Sequence, residues 1–170
     1  MSGFTAIKSD ETDSFFRAFK ADAKVDAGDY AVVNFGDSEA MADELLKLVL
    51  SGIKRATASL VRDFQASGEA IPKAGDYAVV VDGRNKPRCV YRVSDIAIAP
   101  FISVDEAFAF DEGEGDQTRD SWLRDHRVYF DRQAAGGDFA MHDAIETVFE
   151  RFTVVWPRLF ADDWTGPKLQ

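Results

Sequence analysis

Apolar residues recur along this chain with two different periods, and the switches between them mark out the elements. From Thr12 to Ala23, Phe15, Phe16 and Phe19 fall on one stripe while Arg17, Lys20 and Asp22 face elsewhere, which predicts a helix with Thr12 as its cap. Met41, Leu45, Leu48 and Val49 make a second stripe over Ser38 to Leu50. Asp37 or Ser38 caps that helix, Glu39, Asp43 and Glu44 suit its positive end, and Gly52 stops it. A third helix is predicted from Thr118 to Ala134, with Trp122, His126, Tyr129 and Phe130 on one face and Gly136-Gly137 after it. Ser103 to Phe108 reads as a short helix, since Ser103 and Glu106 have the spacing of a capping box.

The period-two segments lie between these. Tyr77 to Val81 and Arg88 to Ile98 flank the turn-rich run Asp82-Gly83-Arg84-Asn85-Lys86-Pro87, which signals a hairpin, and Thr147 to Trp156 supplies a later long strand. Tyr30 to Phe35 and Thr57 to Leu60 are shorter extended segments, and Val61 to Ser67 is a helical turn closed by Gly68. Long strands joined by short ones and interleaved with helices predict an α+β fold built on a small β-barrel. The division expected is an N-terminal helical extension (1–29), one domain (30–157), and a tail (158–170) that docks Leu159, Phe160 and Trp164 on the body.

At 170 residues, 46% hydrophobic and with 14 Phe, the chain has apolar surface enough for one real core. A net charge of −10 works against binding long nucleic acids, DNA included, because that affinity comes from Lys and Arg displacing phosphate counterions. Any contact with RNA then needs a local basic patch. The single cysteine, Cys89, forms no internal disulfide and reads as a small apolar strand residue in a reducing compartment. No run approaches the roughly 20 apolar residues that span a membrane, so the cytoplasm is the expected location and no membrane partner is implied.

Candidate chemistry concentrates in two places. Gly52-Ile53-Lys54-Arg55-Ala56-Thr57-Ala58-Ser59 sets two cations beside two hydroxyls just after a helix stop. A lysine acts as a base only if burial or a neighbouring cation such as Arg55 lowers its pKa; Thr57 could then attack a carbonyl. The plainer reading is that cations near a helix end interact with its dipole. The second place is Asp111-Glu112-Gly113-Glu114-Gly115-Asp116, four carboxylates in six residues. It reads as a solvated acidic loop, as the source of a carboxylate for the Lys54 and Thr57 pocket, or as a divalent-metal loop whose spacing fits poorly. His126 and His142 make neither a zinc pattern nor a serine-hydrolase order, and His126 reads first as a packed, hydrogen-bonded core residue. No glycine loop for phosphates precedes a helix, so no nucleotide cofactor is expected, and the acidic-loop spacing and the two histidines leave no metal expected either.

Asn34-Phe35-Gly36-Asp37-Ser38, the run from Ala42 to Leu46, and Gly52-x-Lys54-x-Ala56-Thr57-Ala58-Ser59-Leu60 together resemble the opening of an ASCH domain. Pro72-Lys73-x-Gly75-Asp76-Tyr77, Cys89-x-Tyr91-Arg92-Val93, Phe110 to Asp116, Trp122-x-x-x-His126 and Glu150-Arg151-Phe152 extend the likeness to the family's longer bacterial members, over Asn34 to Pro157. The resemblance implies a PUA-like β-barrel ringed by helices, a cleft lined by the Gly-x-Lys-x-x-Thr loop, and an association with RNA or its nucleosides. Smaller relatives include an amidohydrolase that deacetylates N4-acetylcytidine with a lysine, a threonine and a glutamate. By that likeness Lys54 is the base, Thr57 the nucleophile and Glu114 the residue that orients the lysine, with Glu112 as the alternative carboxylate. Arg55, Ser59, Arg92, Tyr91 and Trp122 are the expected substrate contacts. Other relatives cleave or bind RNA.

Three functions therefore compete. The first is a metal-free hydrolase of a modified nucleoside or short RNA. The second is an RNA-binding module in which Lys54, Arg55, Arg62 and Arg92 cluster on phosphate while Tyr91 or Trp122 stacks a base. The third is a protein adaptor using exposed aromatics of the N-terminal helix.

Overall fold

The computed structural model describes residues 5–166, so the first residues of the expected extension (1–4) and the last of the tail (167–170) fall outside it. Helix α1 (Asp10–Ala23) starts before Thr12 because Ser9 is its cap. Ser9 Oγ accepts the Thr12 N–H at 3.2 Å and Thr12 Oγ1 accepts the Ser9 N–H at 2.9 Å, a reciprocal capping box that corrects the expectation of Thr12. The Phe stripe faces the sheet: Phe16 and Phe19 pack on Val79, Val81 and Val90.

Helix α2 (Glu39–Leu50) is capped by Ser38, one of the two residues its sequence offers. Strand β1 (Ala31–Val33) precedes it; strand β2 (Ala56–Leu60) and helix α3 (Val61–Ser67) follow. The hairpin forms as strands β3 (Tyr77–Val81) and β4 (Pro87–Pro100). Helices α4 (Glu106–Glu112) and α5 (Arg119–Ala135) then lead to strand β5 (Glu146–Trp156). Ser103 does not cap α4: it sits in a 3-10 turn, its hydroxyl donates to the Pro100 carbonyl at 2.6 Å, and Asp105 is the cap.

The strands form one mixed sheet in the order β1-β3-β4-β5-β2, with only β1 and β3 parallel. β4, 14 residues long, pairs with β3 over its first half and with β5 over most of its length. Its register against β5 shifts at Val90/Tyr91 and again at Val93/Asp95. Such bulges bend a strand and steepen its twist, so the sheet curls into a half-barrel. β1 is only three residues long before the chain leaves for α2, and no ladder joins it to β2 among the described residues. The expected barrel thus stays open along a slot between its two edges.

Inside the curl, Phe35, Leu46 and Val49 meet Val80, Cys89, Tyr91 and Phe152. Cys89 is a buried apolar strand residue whose thiol burial pushes up to about 12. On the far side of β2 and β5, Phe108 of α4 and Trp122 and Phe130 of α5 cover Phe149, joined by Phe101 from the 3-10 turn after β4. After β5 a 3-10 turn (Arg158–Phe160) brings Phe160 onto the inner core, and Asp162 accepts the Val154 N–H at 3.1 Å. No described helix is long and apolar enough to cross a membrane.

Candidate functional site

Gly52, at φ 89°, lets the chain fold back after α2 so that the Ile53 and Lys54 N–H groups both donate to the Leu48 carbonyl at 3.0 Å. The Lys54 side chain consequently runs inward and is 1% exposed. From the opposite side, α4 delivers Glu112 as its last residue, and the Asp111 carbonyl accepts the Arg55 N–H at 2.7 Å. Gly113 has φ 74°, and a Cβ there would lie 2.6 Å from the Ile53 carbonyl oxygen. A side chain would push the acidic loop off the lysine loop.

Four ionisable side chains meet as a result. Lys54 Nζ donates to Glu114 Oε1 at 2.6 Å and to Glu112 Oε1 at 3.4 Å, and stands 5.2 Å over the Phe35 ring. Glu112 also accepts from His126 Nε2 at 3.0 Å and, through Oε2, from the Trp122 indole N–H. The other ring nitrogen of His126 faces the Trp122 carbonyl at 3.0 Å, so both nitrogens meet acceptors and the imidazolium satisfies both. Burial works against that charge, but Glu112 outweighs it and the His126 pKa lies above its ordinary value. Burial likewise opposes charge on Lys54 and Glu112. For Lys54, Glu112 and Glu114 outweigh it and the pKa is raised; for Glu112, His126 and Lys54 outweigh it and the carboxyl falls to about 2. Two cations balance two carboxylates, as burial of charge requires.

This balance alters the role expected of Lys54. A lysine base needs a lowered pKa, whereas here two carboxylates hold the proton in place and Arg55 turns away. Lys54 is an ammonium group fixed at the wall of a cavity. Glu112, Glu114 and His126 each offer a ligand atom, all within 4.8 Å of one another. A divalent ion there would have to displace the Lys54 charge and take the His126 Nε2 proton, so the donor set suits the ammonium better.

The cavity holds about 370 Å³ and is lined by Lys54, Thr57, Ser59, Glu112 and Glu114, with Phe35, Met41, Leu45 and Tyr129 as apolar walls. Asn34, Phe35, Thr57 and Ser59 also border a second chamber of about 730 Å³ inside the curl, so the two share a wall at the slot. Because strand side chains alternate, Ala56 and Leu60 pack under α4 and α5 while Thr57 and Ser59 face the slot. The Thr57 hydroxyl has no hydrogen-bond partner among the described residues.

Not every expected contact residue is there. Arg55 is held by Asp162, 2.9 Å from Nε and 2.6 Å from Nη2, and by the Val49 and Lys54 carbonyls, and it lines neither chamber. Arg55→Ala is therefore expected to cost about 1–2 kcal/mol in thermal melts, through lost hydrogen bonds to a partly buried guanidinium, and to leave ligand affinity at the Lys54 cavity unchanged. Arg92 is exposed beside the Tyr77 ring, outside both chambers. Trp122 is buried, stacked on His126 at 4.0 Å, with its N–H committed to Glu112. Tyr91 touches the inner chamber but is 2% exposed and stacked on Phe152 at 4.3 Å, so it offers no free face to a base. Arg62 pairs with Asp138. Of the cations expected to gather on phosphate, Lys54, Arg55 and Arg62 are thus held by carboxylates and Arg92 lies outside both chambers.

One residue of the slot had no assigned role in the sequence. Glu150 lies directly across the ladder from Thr57, borders the inner chamber, and accepts the Tyr91 hydroxyl hydrogen at 2.9 Å. Burial pushes its carboxyl up to about 7. The signal was present, because Val148, Glu150, Phe152 and Val154 alternate on the inward face of β5 and only Glu150 is not apolar.

No curated protein matches this chain. Among solved structures, a protein from Enterococcus faecalis V583 is 32% identical, with a TM-score of 0.78 over 85% of this chain and 88% of that one. An ASCH domain from Lactobacillus crispatus JV V101 is 26% identical, also with a TM-score of 0.78, over 89% of this chain and 98% of that one. The α+β, PUA-like fold is the one the resemblance implied, with its barrel open along the slot. With the ASCH domain model matching residues 31–156, which is most of its length, the chain belongs to the ASCH domain family.

Proposed function

We propose that this ASCH domain is a hydrolase that removes the acyl group from an N4-acylated cytidine or a closely similar modified nucleoside. The observation that carries the reading is the meeting of a fixed ammonium, Lys54, with an unpartnered hydroxyl, Thr57, at one cavity. In such a cavity the Thr57 oxygen attacks the acyl carbonyl and the Lys54 ammonium stabilises the oxyanion that forms. Glu114, at 2.6 Å, and the buried Glu112, at 3.4 Å, hold the ammonium in place. Phe35, Met41, Leu45 and Tyr129 give apolar walls for a planar heterocycle, and Ser59 adds a hydroxyl at the rim.

Size and charge favour a small substrate. A cavity of about 370 Å³ suits one nucleoside, and a net charge of −10 repels a long polyphosphate. The test is incubation with N4-acetylcytidine and, separately, with a short single-stranded RNA, following cytidine release and strand cleavage. Cytidine release is expected from the first and intact RNA from the second. Lys54→Met is expected to lower the deacylation rate about 10²–10³-fold, the range for losing one oxyanion donor. RNA cleavage without deacylation, or a Lys54→Met variant as fast as the parent, would overturn the reading.

A further inference from the structure

Thr57 needs a group to accept its proton, and Lys54, already an ammonium, is not that group. We infer that Glu150 is the catalytic base of this site, taking the Thr57 hydroxyl proton across the β2–β5 ladder and passing it to the leaving nitrogen. The inference rests on Thr57 being the nucleophile of the proposed reaction.

The geometry comes from the sheet. Thr57 and Glu150 are paired residues of antiparallel strands, so their side chains leave the same face with Cβ atoms about 4.5–5.5 Å apart. Both border the chamber inside the curl. Tyr91 donates to Oε1 at 2.9 Å, which fixes the carboxyl group and leaves Oε2 without a partner among the described residues. Burial keeps the Tyr91 hydroxyl protonated well past neutrality, so it remains a donor.

The charged groups around Glu150 set its proton affinity. Burial raises it most, the Tyr91 hydrogen bond lowers it, Asp76 at the turn before β3 raises it, and Lys54 ahead of β2 lowers it; the balance is about 7. Lys8, Asp29, Tyr30, Glu69, Lys73 and Tyr77 are the other ionisable residues that line the chamber. A base with that value exchanges protons readily near neutral pH.

The sequence of steps closes. The Thr57 O–H bond breaks and its proton goes to Glu150, while the oxygen bonds to the acyl carbon and the carbonyl electrons move onto oxygen. Collapse breaks the C–N bond as Glu150 returns the proton to the departing amine. Water then adds to the acyl-Thr57 ester, giving one proton to Glu150, which passes it to the Thr57 oxygen as that leaves. One amide and one water become one carboxylic acid and one amine.

The test uses Glu150→Gln in the full chain with two acyl donors, p-nitrophenyl acetate and N4-acetylcytidine. With p-nitrophenyl acetate the parent is expected to acetylate the peptide carrying Thr57, with a rate that rises with pH through about 7. Glu150→Gln is expected to lose about 10²-fold or more of that rate at pH 8 together with the pH-dependent limb. A variant that keeps both limb and rate overturns the inference, as does a parent whose Thr57 is never acetylated. Glu150-dependent acetylation of Thr57 without N4-acetylcytidine turnover keeps the inference and discards the proposed nucleoside. Turnover of N4-acetylcytidine that Glu150→Gln leaves untouched does the reverse.

A melt confirms that the variant folds. The folded carboxyl titrates at about 7 against an ordinary 4.5, so ionisation destabilises the fold as pH rises between those values. Glu150→Gln should therefore melt above the parent at pH 8, with the gap closing toward pH 5. A merely structural hydrogen bond from Tyr91 would not move the pH limb of acetylation.

Discussion

Glu112→Ala is expected to destabilise the fold by about 3–5 kcal/mol, the range for breaking a buried ion pair by removing one partner. Glu112 is 2% exposed and receives hydrogen bonds from Lys54, His126 and Trp122. Its loss strands the buried His126 imidazolium and an indole N–H, and leaves Lys54 with Glu114 as its one carboxylate among the described residues. For a chain of this length the melting temperature should fall by roughly 10 °C. The sign with pH follows from the carboxyl lying at about 2 in the fold, below its ordinary 4.5. The stability it contributes is present above 4.5 and is lost as pH falls toward 2, so the gap between parent and variant should narrow on acidification. Adding Lys54→Met to Glu112→Ala should recover part of the loss, because two cations then no longer share the single carboxylate of Glu114. A loss under about 1 kcal/mol at pH 7 would mean that the cluster is solvated rather than buried.

Thr57→Val is expected to have the opposite profile. It should reduce deacylation by about 10³-fold or more, since the nucleophile itself is gone. Stability should change by less than about 1 kcal/mol, because the hydroxyl has no partner to lose and valine suits a strand. Comparing turnover with thermal melts on the same preparation separates the two effects. A melting temperature lowered as far as in Glu112→Ala would make Thr57 a packing residue, and retained turnover would remove it from the reaction.

What could be read in the chain and what could not divides along physical lines. Helix α2 and the β3–β4 hairpin follow from local signals: a Ser38 cap with a four-residue apolar rhythm, and turn residues between alternating strands. The meeting of the Gly52-to-Ser59 segment with the acidic loop was one of three readings of that loop, and only the family pattern singled it out. It depends on a contact between segments some 60 residues apart, which no local periodicity encodes. The caps at Ser9 and Asp105 were missed because a serine or threonine a few residues away offered the same spacing. The open slot went unforeseen because barrel closure depends on β1 being three residues long and on bulges in β4, neither of which composition signals. Trp122 and Tyr91 were expected at the surface of the cleft, yet each spends its polar atom on a buried carboxylate, Glu112 and Glu150 respectively. An aromatic with a polar tip serves a buried acid as well as it serves a ligand. Glu150 could have been found from an acid on the inward face of an otherwise apolar strand.

The most direct measurement of the central claim is mass spectrometry of the acid-quenched protein during its first turnovers with N4-acetylcytidine. One acetyl group on the peptide containing Thr57, absent when the quench follows substrate exhaustion, is the result expected of a threonine nucleophile beside a fixed ammonium. Cytidine released steadily by a protein that never carries acetyl at Thr57 would contradict it.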